Sequence, residues 1–181
     1  MPVSDHIIVL VGLMGSGKSR VGMELARLLK LPFVDADREI ERAAGHTVAD
    51  IFAKFGESEF RKGEKKVMSR LLSGEAKVLA SGGGAFIQPE LKDLIKKKAI
   101  SVWLKADLNT LVERTSRTNH RPLLQGTDPR KQLEKLIEER YPVYAEADIT
   151  VVTDSQTPQD MARQIEKELN RLADRESKTL K

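Results

Sequence analysis

The stretch GLMGSGKS, residues 12–19, decides the fold class. It fits the pattern G-x-x-x-x-G-K-[ST] at every fixed position. Ahead of it, residues 6–11 form a run that is apolar after its first residue and predicts a strand. Behind it, Val21, Leu25, Leu28 and Leu29 fall at helical spacing and predict a helix over Lys18–Leu29, stopped by Pro32. The glycines let backbone N–H groups converge on phosphate oxygens, and a helix N-terminus adds partial positive charge. Lys18 has the reach for the outer phosphates of a nucleotide, and the Ser19 hydroxyl suits a magnesium ion. Nucleotide contacts are expected from Gly15, Ser16, Gly17, Lys18, Ser19 and Arg20.

Outward from this loop, short apolar strands alternate with helices. Further strands are predicted over residues 32–35, 77–81, 99–104 and 149–152, five in all with the first. Helices are predicted over 38–44, 48–55, 57–72, 89–97, 107–115, 129–145 and 158–172. This alternation implies an α/β fold, a parallel sheet flanked by helices on both faces. Residues 116–128 carry polar and breaker residues without a period and are a candidate lid. Residues 173–181 are expected to fray. No repeat or linker divides the 181 residues, so one domain is expected over 1–181.

The net charge of +4 is mild and suits anionic small molecules. One Trp, two Tyr and five Phe are too few, and too far from basic residues, to build a base-stacking surface, so no nucleic-acid partner is expected. The lysine run 96–98 ends a predicted helix, where positive charge suits the dipole. No apolar run approaches the roughly 20 residues that span a bilayer, so no membrane partner is expected. The start MPVSDHIIVLVG lacks the basic segment and cleavage site of a signal peptide. Without cysteine, disulfides and thiolate metal sites are excluded. A cytoplasmic monomer is expected.

Two further stretches carry chemistry. In FVDAD, residues 33–37, an extended chain would point Asp35 and Asp37 the same way. Both would then face the carboxyl ends of the strands, where parallel sheets bind ligands. One carboxylate would help hold Mg²⁺, usually through water. The other would orient an acceptor hydroxyl and take its proton. A plainer alternative has Asp37 capping a helix from Arg38. In LASGGGAF, residues 79–86, three consecutive glycines follow a predicted strand despite the conformational freedom each loses on folding. They serve either tight strand–helix packing or the close approach of a ligand.

Taken in order, GLMGSGKS, FVDAD, GESEFRKGE at 56–64, SGGGA at 81–85, NHRPLL at 119–124 and RYPVY at 140–144 resemble the shikimate kinase family over about residues 6–170. The resemblance implies a P-loop NTPase of the nucleoside-monophosphate-kinase-like fold, with a five-stranded parallel sheet. It also implies a substrate-binding region over about 35–64 and a mobile lid over about 116–128. The implied reaction moves the γ-phosphate of ATP, with Mg²⁺, to the 3-hydroxyl of shikimate, in the pathway to chorismate and the aromatic amino acids. By the same resemblance Ser19 binds Mg²⁺ with Asp35 behind it, and Asp37 binds the ring hydroxyls and acts as base. Arg61 and Arg140 clamp the shikimate carboxylate, and Gly82, Gly83 and Gly84 line the acceptor site. Arg121 enters from the lid toward the transferring phosphate, completing a catalytic set with Lys18 and Asp37. Arg114 stacks on adenine, with Gln156 beside it.

Elementary chemistry agrees with these implied roles. A carboxylate is best held by the planar fork of arginine, and two arginines from distant segments also fix orientation. Glu64 stands at i+3 from Arg61, suited to orienting it. A cation delivered by a closing loop stabilises charge on the phosphoryl group and excludes water. Kinases for gluconate or a nucleoside monophosphate remain rivals on the same fold. A GTPase would carry an N-K-x-D element, which is absent. A non-catalytic nucleotide binder would have lost Lys18, Asp37 or Arg121, and all are present.

Overall fold

β1 (Ile7–Val11) is buried at all five positions in the computed structural model, as befits a central strand covered on both faces. Its side chains divide by parity. Ile7, Val9 and Val11 enter one core with Leu79, Trp103 and Leu111, while Ile8 and Leu10 enter another with Val21, Val78 and Ile165. The period of two sends alternate residues to opposite faces.

The structure describes residues 3–117 and 128–179. After a short 3₁₀ turn at Val3–Asp5 and β1 come α1 (Lys18–Leu29), β2 (Phe33–Asp35), α2 (Ala36–Ala44), α3 (Val48–Leu71) and β3 (Lys77–Ala80). The chain continues through α4 (Pro89–Lys98), β4 (Ala99–Ala106), α5 (Leu108–Ser116), α6 (Pro129–Tyr144), β5 (Ile149–Thr153) and α7 (Pro158–Thr179). The sheet order is β2-β3-β1-β4-β5, parallel throughout. Helices α1 and α7 cover one face, and α2 to α6 supply the core of the other.

The five predicted strands are all present, β4 running two residues past its expected end, and three helices differ from expectation by more than one residue. Helix α2 begins at Ala36, because the Asp35 carboxylate accepts hydrogen bonds from the N–H groups of Asp37 and Arg38 and so satisfies donors a helix start leaves open. Asp37 therefore stands on the first helical turn, not on the extended chain predicted for it, and the cap of α2 is Asp35 rather than Asp37. The helices expected over 48–55 and 57–72 are one element broken at Gly56, whose φ of 82° is left-handed. Helix α7 runs on to Thr179, past the last apolar position at Ala173 and through the stretch expected to fray, where Arg175, Glu176 and Lys178 favour a helix.

Because all strands run the same way, their carboxyl ends share one edge. In strand order that edge carries Asp35 at the end of β2, the triple glycine after β3, the phosphate loop after β1, the approach to α5 after β4, and Thr153 at the end of β5. From the neighbours β1 and β3 the chain leaves to opposite faces, into α1 and toward α4. A crevice opens between such strands. Ser81 closes its floor, its N–H and hydroxyl both donating to the Leu10 carbonyl at 3.1 and 2.9 Å.

Helix α1 lies so close to β2 that a β-carbon at Gly22 would stand 2.6 Å from Phe33 Cε2 and 3.2 Å from Leu10 Cδ1. Gly22→Ala is expected to destabilise by about 1–3 kcal/mol through overpacking, despite a gain in helix propensity. A urea melt checks this; an unchanged midpoint would mean the phenyl ring yields freely.

Candidate active site

The crevice is a cleft of about 1070 Å³ that runs from the β2 side of the sheet edge to the β5 side. Gly15, Ser16, Gly17, Lys18, Ser19, Arg20, Asp35, Asp37, Arg61, Gly82, Gly83, Gly84, Arg114, Arg140 and Gln156 all line it. The sequence-predicted set is thus brought together except for Arg121. That residue and most of the expected lid lie outside the described residues.

The phosphate loop takes its form from Gly15 and Gly17, with φ of 81° and 95°. A β-carbon at Gly15 would also meet Thr115 Cγ2 at 2.9 Å. Lys18 Nζ donates to the carbonyls of Gly12 and Leu13 at 2.7 and 3.0 Å, so its ammonium lies over the loop. Ser16 Oγ is buried with no hydrogen-bond partner among the described residues. Ser19 Oγ donates to Asp35 Oδ2 at 2.7 Å, setting a hydroxyl and a carboxylate side by side. The same Asp35 caps α2 through Oδ1, so one side chain fixes the helix that carries Asp37 and the outer rim of the phosphate loop.

Toward β5, Arg114 Nη1 donates to the carbonyls of Gly15 and Ser16 and to Thr153 Oγ1, at 3.2 to 3.3 Å. The guanidinium braces the phosphate loop against the end of β5. Arg117, for which the sequence assigns no role, also lines the cleft and pairs with Glu113 at 2.8 Å.

Toward β2, the triple glycine makes room for side chains. A β-carbon at Gly82 would stand 2.8 Å from Glu64 Oε2 and 2.9 Å from Asp37 Oδ1. One at Gly84 would lie 2.4 to 2.6 Å from the Arg61 guanidinium. One at Gly83 would meet Arg140 Nη1 at 3.5 Å, an ordinary contact. The glycines thus let two carboxylates and two guanidinium groups approach one strand end. Arg61 Nη1 donates to Glu64 Oε1 at 2.8 Å and Nη2 to Glu57 at 3.3 Å. Glu64 is only 1% exposed. Arg140 Nη1 is buried without a partner among the described residues.

This arrangement places a phosphate loop, a hydroxyl–carboxylate pair, a second carboxylate and two convergent guanidinium groups along one cleft. It can hold a nucleotide at one end and a small anionic acceptor at the other. The family model described as shikimate kinase matches residues 14–170. The chain belongs to the shikimate kinase family. Shikimate kinase of Paramagnetospirillum magneticum is 55% identical over 152 residues, 84% of this chain and 78% of that protein. Shikimate kinase of Caulobacter vibrioides is 55% identical, over 84% of this chain and 76% of that protein. Among solved structures, shikimate kinase from Acinetobacter baumannii in complex with shikimate superposes with a TM-score of 0.89 at 40% identity, covering 93% of this chain and 97% of that one. A gluconokinase from Sinorhizobium meliloti shares the fold at a TM-score of 0.63 and 23% identity, covering 97% of this chain and 98% of that one.

Within this shikimate kinase framework, two side chains beside the acceptor end escaped sequence reasoning. Gln88 Nε2 donates to Glu64 Oε1 at 2.6 Å and to the Gly84 carbonyl at 3.4 Å. Tyr144 lies fully buried, and its hydroxyl donates to the Gly83 carbonyl. Burial pushes the Tyr144 phenol up to about 12, against the pull of Arg140 and Arg61 in the opposite direction. Gln88 sits in no motif, whereas Tyr144 closes the RYPVY segment at 140–144 without a role assigned to it. Its position at i+4 from Arg140 puts both on one helix face.

Proposed function

We propose that the chain catalyses the family reaction, transfer of the γ-phosphate of ATP to the 3-hydroxyl of shikimate. It is an ATP-dependent small-molecule kinase. The observation that carries the choice of acceptor is the convergence of Arg61 and Arg140 on the triple glycine, with Arg140 Nη1 buried and unpartnered among the described residues. A carboxylate bridging both forks would supply the missing acceptors.

In this reading the two arginines hold the carboxylate of shikimate, and the ring lies across Gly82, Gly83 and Gly84. The reacting hydroxyl then points to Asp37, which accepts its hydrogen bond and takes its proton. Fixing the acceptor in this way selects one of three hydroxyls. Lys18 exchanges the carbonyls of Gly12 and Leu13 for phosphate oxygens, and the N–H groups from Gly15 to Ser19 cradle the phosphates. Arg20, Arg114 and Gln156 border the rest of the nucleotide, and Arg121 approaches the transferring group from the lid over 116–128. The phosphoryl group passes through a loose transition state, so positioning and charge do most of the work.

The Ser19 hydroxyl beside the Asp35 carboxylate, 2.7 Å apart, is a pair of hard oxygen donors that fits Mg²⁺. Ser19 would hold the ion directly and Asp35 through water. When bound, the ion supplies neutralisation of charge on the outer phosphate oxygens. The reading extends to one kinase domain over 1–181, with the acceptor region over about 35–64, acting as a monomer in the cytoplasm. Among the described residues no helix is long and apolar enough to cross a membrane.

A coupled assay of ADP release tests the acceptor, with ATP and Mg²⁺ and either shikimate, gluconate, AMP or nothing. Release that requires shikimate is the expected result. Release with gluconate or AMP instead would keep the kinase chemistry and overturn the acceptor reading.

A further inference from the structure

Tyr144 lies beneath the acceptor loop, on the last turn of α6, where it is 0% exposed and its ring packs tilted against Trp103, the centroids 5.9 Å apart. Its hydroxyl donates to the carbonyl of Gly83, the middle residue of the triple glycine, across 61 residues of chain. One helical turn earlier on the same face stands Arg140, whose Nη1 comes within 3.5 Å of where a Gly83 β-carbon would be. A phenol has one proton to donate and lone pairs to accept. Its proton is committed to Gly83, so toward Arg140 the oxygen can only accept. Arginine can only donate, so the two groups are complementary. The phenol thus holds the backbone that floors the acceptor site and lies close enough to the Arg140 guanidinium to be pulled by its charge.

We propose that Tyr144 is a positioning residue, whose hydroxyl fixes the Gly83 peptide and the Arg140 guanidinium relative to each other so that both meet the carboxylate-bearing acceptor in one geometry. This rests on the acceptor reading above. Gly83 has no side chain to hold its peptide plane, and the hydroxyl beneath supplies the restraint the loop lacks. The phenol is buried and pushed up to about 12, so it keeps its proton across any practical assay pH. Without the hydroxyl, the Gly83 carbonyl loses its donor and Arg140 gains freedom to swing. The nucleotide end, built on the phosphate loop and α5, is untouched.

The test is Tyr144→Phe in the full chain, which removes one oxygen and keeps the ring against Trp103. KM for shikimate is expected to rise about tenfold, the scale of one lost hydrogen bond at a charged group. KM for ATP and kcat at saturating shikimate are expected to stay within twofold. The shikimate Kd, read by fluorescence of Trp103, the only tryptophan in the chain, is expected to rise with KM. An unchanged shikimate KM overturns the proposal, as does an equal rise in both KM values, which marks general loosening. Should Tyr144→Phe fail to fold, 4-aminophenylalanine at 144 keeps a donor on a ring of the same size. Its second N–H meets Arg140 where the phenol oxygen accepted, so a rise in shikimate KM with an unchanged ATP KM supports the proposal, and an unchanged shikimate KM overturns it. Wild-type turnover of shikimate is measured first. Its absence overturns the acceptor reading and this inference with it, whereas wild-type turnover with an indifferent Tyr144→Phe overturns this inference alone.

Discussion

Asp37→Asn is expected to lower kcat by about 10²- to 10⁴-fold, the usual contribution of a positioned general base. The substitution keeps the shape of the side chain and its place on the first turn of α2, which Asp35 caps independently. Asp37 Oδ1 lies within 2.9 Å of the space above Gly82, between the acceptor end and the phosphate loop. An amide there can still accept a hydrogen bond from the acceptor hydroxyl, so KM for shikimate is expected to change less than tenfold. It cannot take the proton. The loose transition state of phosphoryl transfer reduces the need for a base, which favours the lower end of the range. Single-turnover kinetics with saturating ATP and shikimate separate the chemical step from product release. Turnover within threefold of wild type would rule out an essential base at position 37 and leave Lys18 as the remaining group.

The parts of this molecule that sequence reasoning reached are those where local chemistry dictates local structure. Gly12 to Ser19 fixed a strand, a loop and a helix at once, because the apolar run before it and the helical spacing after it admit little else. Asp107 marked the start of α5, and its carboxylate accepts the N–H of Thr110 as expected of a cap. At Asp35 the same chemistry went unrecognised. Two aspartates two apart suggested an extended pair, but the first one caps the helix that carries the second. What the triple glycine accommodates was also beyond local reading. Its neighbours Glu64, Arg61, Arg140 and Tyr144 come from α3 and α6, and only the packing of both helices on the same face of the sheet brings them to the end of β3. Spacing along the chain carries no signal for such contacts. The resemblance to a known family supplied Arg61 and Arg140, and the i+3 spacing supplied Glu64 as the partner of Arg61, but Gln88 and the role of Tyr144 were not reached.

The packing around Arg61 predicts which glycine matters most. Gly84→Ala is expected to raise KM for shikimate about 10- to 100-fold and to destabilise the fold, whereas Gly83→Ala should leave stability nearly unchanged. At Gly83 a methyl group meets nothing closer than 3.5 Å, so its effect falls on the acceptor alone. At Gly84 it would stand 2.4 Å from Arg61 Nη1, well inside contact distance. An arginine head can often swing aside, but this one is tied to Glu64 at 2.8 Å and lies 5.2 Å over the Phe60 ring. To move, it must leave Glu64, which is 1% exposed and keeps only Gln88 as a donor among the described residues. Breaking a buried pair from one side costs about 3–5 kcal/mol, lessened here by Gln88 and by whatever bond a displaced Arg61 recovers. The loss of charge-assisted bonds to the acceptor carboxylate, each about 1.5–3 kcal/mol, sets the expected rise in KM. A double-mutant cycle isolates the cause. If Gly84 acts by making room for Arg61, then Gly84→Ala should add almost nothing to the shikimate KM once Arg61 is alanine. Additive losses in the double variant would mean that Gly84 touches the acceptor directly and that the space it leaves serves the ligand rather than the guanidinium.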